Sequence, residues 1–183
     1  ETAHKLKYVV FDKTGTITKG TPEVTNLIPE PGAGTEDDLL RIAASIEKAS
    51  EHPLADAIVK RATQKNLQLV DAKDFQAIPG FGISARLNKR GFYFGSPKLI
   101  AKNNIAISDE TKRKVLELEE QGKTVMVLSD AKAVLGIVAV ADTIKESSAV
   151  AVKKLKAMGI SVYMITGDNE RTAKAIAKQV GIE

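Results

Sequence analysis

Hydrophobic residues follow one pattern near the two ends of the chain and another in its middle. Residues 6 to 11 form a short apolar run that stops at a loop containing Gly15, which is typical of a strand in a parallel sheet. Near the other end, helical spacing from about Glu146 to Met158 and from about Glu170 to Val180 flanks a strand from Ile160 to Ile165. Strands and helices that alternate across short loops favour a parallel α/β unit.

The middle of the chain predicts a different architecture. Helices are expected after Thr35, from Pro53 and after Ser108, because each of these residues is a good helix start placed before an apolar face. Residues 74 to 95 read as short strands separated by Gly-containing turns, which is an antiparallel pattern. Two further strands are predicted, Thr124 to Ser129 and Val134 to Val140.

These two patterns predict two domains. Residues 1 to 21 and 131 to 183 are expected to form a discontinuous parallel α/β domain, in which the first strand joins the last third of the chain. Residues 22 to 130, with helices and hairpins of their own, are expected to form an inserted α+β domain.

Composition narrows the classes of function. Hydrophobic residues make up 43% and charged residues 27%, which suits a globular core. The net charge is a mild +4, aromatic residues are 4% and Trp is absent, so a nucleic-acid partner is not expected. Cysteine is absent, which excludes disulfides and thiolate chemistry. The apolar run Ala133 to Ala141 is far shorter than the roughly 18 residues of a membrane span, and residues 1 to 5 carry no apolar targeting core, so a soluble chain is expected.

Asp12 is the first candidate for chemistry, because it follows a strand at the edge where open parallel sheets form their sites. A carboxylate there can attack phosphorus and form an aspartyl-phosphate, while Lys13 to Thr16 offer N–H groups and hydroxyls to the phosphate oxygens. The simpler interpretation is a solvated carboxylate in a loop. Thr14 stands where a phosphatase of this chemistry needs a second acid, so a phosphoenzyme would be hydrolysed slowly.

The segment Asp12-Lys13-Thr14-Gly15-Thr16-Ile17-Thr18 resembles the phosphorylation motif of the P-type ATPases, ion pumps whose catalytic domain has the haloacid dehalogenase fold. Thr166-Gly167-Asp168 resembles a second motif of that family, in which the threonine holds a phosphate oxygen and the aspartate helps to position nucleotide and metal. The resemblance implies catalytic roles for Asp12, Lys13, Thr14, Thr166 and Asp168, with Mg²⁺ held by Asp12 and Thr14. The fold class it implies is α/β, with a haloacid dehalogenase-like phosphorylation domain and an inserted α+β nucleotide-binding domain.

A second group of motifs lies in the middle section. Ser50-Glu51-His52-Pro53 resembles the signature of the heavy-metal P-type ATPases, whose histidine packs on adenine and whose glutamate contacts it. Gly80-Phe81-Gly82-Ile83 resembles the adenine-site turn of that family, and Gly95-Ser96 stands where it usually has Gly-Asn. The nucleotide site implied by this resemblance comprises Glu51, His52, Gly80, Gly82, Ile83, Gly95 and Ser96.

Other features of the family are absent or ambiguous. After Asp168 the sequence has neither the later lysine nor the Gly-Asp-Gly-x-Asn-Asp motif, which supply charge neutralisation and a further Mg²⁺ carboxylate. The resemblance therefore implies a phosphorylation domain that is incomplete at its C-terminus, so that the chain binds ATP but transfers phosphate poorly or not at all. Asp142 resembles a family aspartate near the phosphorylation site, but it could equally be a carboxylate at a helix start. A Gly-x-x-x-x-Gly-Lys-Ser/Thr loop does not occur.

The function implied is the cytoplasmic ATP-binding region of an integral membrane pump that exports a heavy-metal ion, with copper favoured over zinc, cadmium and cobalt. Its expected partners are ATP, Mg²⁺ and the transmembrane and actuator parts of the pump, and the metal ion would contact the membrane part alone. Two alternatives stay open. One is a soluble haloacid dehalogenase-type phosphatase, against which Thr14 and the adenine-site motifs argue, and the other is a regulatory nucleotide sensor that is never phosphorylated.

Overall fold

The structure, a computed structural model, describes residues 6 to 182 and has the predicted α/β architecture. Its strands are β1 (Tyr8–Asp12), β2 (Glu23–Pro29), β3 (Lys73–Ile78), β4 (Gly82–Leu87), β5 (Arg90–Gly95), β6 (Thr124–Asp130), β7 (Val134–Ala141) and β8 (Ser161–Ile165). Its helices are α1 (Glu36–Glu47), α2 (Pro53–Gln64), α3 (Pro97–Lys102), α4 (Asp109–Glu120), α5 (Glu146–Ala157) and α6 (Glu170–Val180). The predicted helices and strands are confirmed, with ends that differ by a few residues.

The larger sheet has six strands in the order β2-β7-β6-β5-β4-β3, and every neighbouring pair is antiparallel. Helices α1 and α2 cover one of its faces, and α3 and α4 cover the other. In β7, Val138 packs on the first face and Ile137 on the second, and both are at most 2% exposed. Because both faces are covered, this antiparallel strand is apolar at successive positions instead of alternating with polar residues.

The smaller sheet pairs β1 with β8 in parallel, in the register Tyr8 to Ser161 through Asp12 to Ile165. Helices α5 and α6 pack on one of its faces through Val152 and Ile176, around a separate apolar core. The prediction that the first strand pairs with a strand of the last third is confirmed. All strands of the larger sheet lie between β1 and β8 in the sequence.

The position of strand β7 in the larger sheet changes the predicted domain boundary. This strand hydrogen-bonds to β6 on one side and to β2 on the other, so it belongs to the six-stranded sheet. The predicted boundary between residues 130 and 131 is wrong, because it cuts the β6–β7 hairpin, and the chain leaves the larger sheet after Ala141. With this boundary moved, the division into two domains stays a prediction.

Two elements were not predicted. Strand β2 was not predicted because its polar residues resemble those of a loop. It lies at the edge of the sheet, where Pro29, which has no N–H group, removes no hydrogen bond from the interior of the sheet. Helix α3 has six residues, too few to show a helical period. None of the helices in residues 6 to 182 has both the length and the apolar character that a membrane crossing needs. The prediction about a targeting segment concerns residues 1 to 5, which lie outside the described residues.

Candidate functional site

A cavity of about 1200 Å³ lies between the two sheets. One wall comes from the insertion and includes His52, Gly80 and Ser96, and the opposite wall comes from the parallel unit and includes Lys13 and Asp168. The structure therefore brings residues from both predicted groups to one space, although the groups are far apart in sequence.

The wall from the parallel unit is built on the end of β1. Asp12 is the last residue of this strand and is exposed, and Lys13–Ile17 form a tight turn in which Gly15 has a φ of 75°. Lys13 and Thr14 line the cavity, whereas Asp12 is not among its lining residues. The chain turns here because Gly15 adopts a left-handed conformation that other residues rarely adopt.

Asp168 is a carboxylate of this wall that accepts three side-chain hydrogen bonds. Its Oδ2 accepts from the Nζ of Lys13 and from the hydroxyl of Thr166, and its Oδ1 accepts from the hydroxyl of Thr124 at 2.8 Å. Burial raises the pKa of Asp168, but the hydrogen bonds and the charge of Lys13 outweigh it and hold the pKa below its usual value. Asp168 is therefore an ionised carboxylate at neutral pH, paired with a partly buried lysine.

Asp142 forms hydrogen bonds between the two chain segments that connect the sheets. Its carboxylate accepts from the hydroxyl of Thr18 and from the backbone N–H groups of Gly20 and Thr21, at 3.0 and 3.1 Å for the latter two. The backbone N–H of Lys19 also donates to the carbonyl of Thr143 at 2.8 Å. Asp142 lines the cavity, but its oxygens are occupied by these donors, which favours the structural interpretation of this residue.

His52 begins helix α2 on the opposite wall. Its Nδ1 accepts a hydrogen bond from the backbone N–H of Leu54 at 3.2 Å, so the ring caps the helix in place of the usual hydroxyl or carboxylate. In the neutral ring the proton then lies on Nε2. The cap fixes the position of an exposed imidazole at the rim of the cavity, and Pro53 at the first helical position suits this helix start.

The glycines of this wall have two different roles. Gly80 sits in a turn at a φ of 75°, and a Cβ there would meet nothing within 4 Å, so open space lies beside its backbone. Gly82 and Gly95 are paired across β4 and β5, and a Cβ on Gly82 would lie 2.2 Å from the carbonyl oxygen of Phe94. These two glycines are required first by the close approach of two strands, and only Gly80 leaves room for a ligand.

Ser96 offers a free hydroxyl on the same wall. It precedes α3, yet its side chain makes no capping hydrogen bond, and its buried Oγ has no partner in the structure. Ile83 lies beside it as a buried apolar floor residue. A buried hydroxyl without a partner is costly, so Ser96 is suited to bind a polar group that enters the cavity.

Glu47 was missed by the sequence analysis, and Glu51 was chosen instead. Glu51 is exposed and does not line the cavity, whereas Glu47 lines it, is 6% exposed and has an Oε2 without a hydrogen-bond partner. Burial raises the pKa of Glu47 to about 7, against a smaller lowering by the Ser50 hydroxyl. A signal was present in the sequence, because Glu47 continues the helical spacing of Leu40 and Ala44 on the apolar face of α1.

Comparison with known families decides the affiliation of this chain. The model of the haloacid dehalogenase-like hydrolases matches residues 6–183, which is nearly the whole chain. The chain belongs to the haloacid dehalogenase-like hydrolases.

Relatives of this haloacid dehalogenase-like chain are transport ATPases. It is 46% identical over 183 residues to the copper-exporting P-type ATPase of Staphylococcus epidermidis and 44% identical to the probable copper-exporting P-type ATPase of Archaeoglobus fulgidus. All of this chain is covered in both cases, but it spans 22% of the length of each relative. A crystal structure of a zinc-transporting PIB-type ATPase in an E2.Pi state is similar with a TM-score of 0.69 and 37% identity, covering 97% of this chain and 28% of that one.

The residues expected to bind Mg²⁺ in this haloacid dehalogenase-like chain are exposed at the turn after β1. Among residues 6 to 182, no three acidic or histidine side chains cluster as a metal site, and Asp142 and Asp168 are engaged by protein donors. Asp12 and Thr14 supply two oxygens at the exposed turn. Mg²⁺ is commonly held by one or two carboxylates together with substrate phosphates and water, and the donors present fit that mode.

Proposed function

We propose that this chain is the ATP-binding and phosphorylation region of a heavy-metal-transporting P-type ATPase. The observation that carries the proposal is the single cavity that joins the His52 wall to the Lys13 and Asp168 wall. A nucleoside triphosphate has a flat base at one end and phosphates at the other, so it offers a different group to each wall. The similarity to copper-exporting and zinc-transporting P-type ATPases supports this proposal.

The adenine base would bind on the insertion. His52 offers a ring that is held by its own helix cap, and Gly80 leaves open space for a flat base. Glu47 and Ser96 offer polar atoms without partners, which suits the ring nitrogens and the exocyclic amine of adenine. We propose Glu47 rather than Glu51 as the acidic residue of this subsite.

The terminal phosphate would bind at the end of β1. A carboxylate oxygen of Asp12 attacks the γ-phosphorus, the bond from that phosphorus to the bridging oxygen of ADP breaks, and ADP leaves with the electron pair. Water later cleaves the aspartyl-phosphate to give phosphate and the free carboxylate. Lys13 and Thr166 would donate to the phosphate oxygens, and bound Mg²⁺ would neutralise part of their charge. Thr14 cannot act as an acid, so the aspartyl-phosphate is expected to persist.

In the intact pump this cycle would drive the export of a metal ion, for which the relatives favour copper. The chain would then be a cytoplasmic domain, and the transmembrane and actuator parts would be its partners. The transported ion would bind to the membrane part.

Calorimetric titration with ATP tests the nucleotide site. His52→Asn keeps a good N-cap residue but removes the ring, and we expect it to weaken ATP binding about tenfold, as for loss of a stacking contact of about 1–3 kcal/mol. Glu47→Ala should weaken binding more than Glu51→Ala, because only Glu47 lines the cavity. A larger effect of Glu51→Ala would return the role to Glu51, and equal effects would contradict the choice of Glu47. Absence of binding by the folded wild-type chain would refute the site.

Labelling with γ-labelled ATP tests the phosphorylation step. In the full-length protein we expect an acid-stable label that Asp12→Asn abolishes and Asp142→Asn leaves detectable. Binding of ATP without any label would favour the nucleotide sensor. Brisk hydrolysis of p-nitrophenyl phosphate by a chain that does not bind ATP would favour the soluble phosphatase.

A further inference from the structure

A group of hydrogen bonds joins the start of α6 to the end of α4, across the cavity. Glu119 accepts from the Nδ2 of Asn169 at 3.0 Å through Oε1 and from the Nε of Arg171 at 2.8 Å through Oε2. We call these three residues the α4–α6 clasp. The next residue, Thr172, extends the contact by donating its hydroxyl to the carbonyl of Lys123 at 2.8 Å.

The clasp joins a buried carboxylate to an arginine whose side chain is 59% exposed, so its specificity comes from the Glu119 side. Glu119 is 4% exposed, and each of its oxygens accepts from a different residue. Asn169 is fixed twice, because its Oδ1 also caps α6 by accepting from the N–H groups of Arg171 and Thr172. A buried carboxylate without partners is strongly destabilising, so Glu119 favours the arrangement in which α6 reaches it.

The clasp lies directly beside the phosphate end of the cavity. Asp168 immediately precedes Asn169, and Thr124, which donates to Asp168, begins the strand that follows α4. Asp168 is thus held from both sheets at once, through Lys13 on the parallel unit and through Thr124 on the insertion. Whatever fixes α4 against α6 also fixes the carboxylate of Asp168.

We propose that the α4–α6 clasp holds the cavity closed before nucleotide binds, and that Glu119 and Thr124 are positioning residues for Asp168. This inference rests on the proposed function, because it concerns how that site is assembled. A ligand that touches both walls, such as ATP, gains affinity from a cavity that is already closed. A ligand that touches the insertion alone, such as AMP, gains nothing.

Two single substitutions separate this role from a direct electrostatic effect on the phosphates. Glu119→Gln removes a negative charge from the cavity and Arg171→Ala removes a positive one, so direct electrostatics predict tighter binding in the first and weaker binding in the second. The clasp predicts weaker binding of the non-hydrolysable analogue AMPPNP in both, by about fivefold or more, with AMP affinity unchanged. Lys174→Ala is the matched control, because Lys174 pairs with Glu170 inside α6 and does not reach α4.

Thr124 provides an independent pair of variants. Thr124→Val removes the hydroxyl that reaches Asp168 with little change in volume, and Thr124→Ser keeps it. We expect weaker AMPPNP binding in the valine variant and recovery of affinity in the serine variant. An unchanged ratio of AMPPNP to AMP affinity in Thr124→Val, or an equal loss in Thr124→Ser, would overturn the positioning role.

A distance measurement without nucleotide tests closure itself. The chain has no cysteine, so spin labels at Gln64→Cys on α2 and Lys153→Cys on α5 report the separation of the two units. We expect a narrow distribution in the labelled parent that becomes broader and longer with Glu119→Gln or Arg171→Ala. An unchanged distribution would overturn the clasp. Absence of binding by either nucleotide would refute the proposed function, and the distance measurement would still decide whether the clasp exists.

Discussion

The two sheets of this protein have similar apolar strands, but helices cover both faces of the larger sheet and only one face of the smaller sheet. In the larger sheet, successive residues of β7 are buried on opposite faces, because helices lie on both sides of the sheet. In the smaller sheet, Val162 is 5% exposed beneath α5 and α6, while Val10 on the opposite face is 61% exposed. An apolar run therefore shows that a segment is a strand, but the neighbouring elements decide how many of its faces are buried.

The open face of the smaller sheet is formed by four residues with similar exposure. Tyr8 and Tyr163 lie next to each other with ring centroids 6.2 Å apart, and they are 62% and 48% exposed. Val10 and Ile165 are each 61% exposed. Because each residue already contacts water in the folded chain, each contributes less to stability than a buried residue of the same type.

The largest expected effect concerns the buried carboxylate of the larger unit. Burial places the pKa of Glu47 at about 7, above its unfolded value, so its contribution to stability is present below about pH 4.5 and is lost as the pH rises through 7. Glu47→Gln should therefore stabilise the chain at pH 8 relative to pH 4.5 by up to about 3 kcal/mol. Urea unfolding at the two pH values measures this difference.

Glu51→Gln is the control for that measurement, because Glu51 is exposed. We expect the same stability as wild type at both pH values. A Glu47→Gln variant whose advantage over wild type does not change with pH would show that Glu47 is hydrated or paired, and the larger unit would then carry no buried charge at the cavity.

A matched pair of valine truncations compares the two cores directly. Val138 in β7 is 0% exposed and Val152 in α5 is 1% exposed, so the residues differ in surroundings and hardly in burial. We expect Val138→Ala to cost about 2–3 kcal/mol and Val152→Ala about 1–2 kcal/mol, because the smaller unit can relax into the space left behind. Equal losses of unfolding free energy in urea would contradict the idea that one-sided cover makes a more adaptable core.

The smallest expected effect is on the open face. Val10→Thr should change the unfolding free energy by less than about 0.5 kcal/mol, because the added hydroxyl meets water. The same change at Val162, which is 5% exposed, should cost about 1–3 kcal/mol by burying a hydroxyl. Thermal unfolding of the two variants provides the measurement, and a large loss from Val10→Thr would show that this face is covered in solution.

Motifs that depend on local sequence alone lie beside the cavity, and their roles there stay predictions. The turn after Asp12 and the helix start at His52 each depend on a few consecutive residues, and the structure places both beside the cavity. Thr166 and Asp168 were also predicted from a short motif, and Asp168 accepts hydrogen bonds from both Lys13 and Thr166 on one wall. The sequence motif points to Glu51, whereas the structure places Glu47 at the cavity, because the side of the chain that faces the insertion core is set by tertiary contacts.

The sequence by itself determined the helices, most of the strands, the parallel pairing of β1 with the last third and the motifs of both walls. These features follow from the spacing of apolar residues, from helix caps and from glycine turns, which act over a few residues. Only the tertiary structure decided that β7 lies in the larger sheet, that one face of the smaller sheet is open and that Glu119 meets Arg171. Each depends on contacts between segments distant in sequence, for which the pattern within either segment carries no signal.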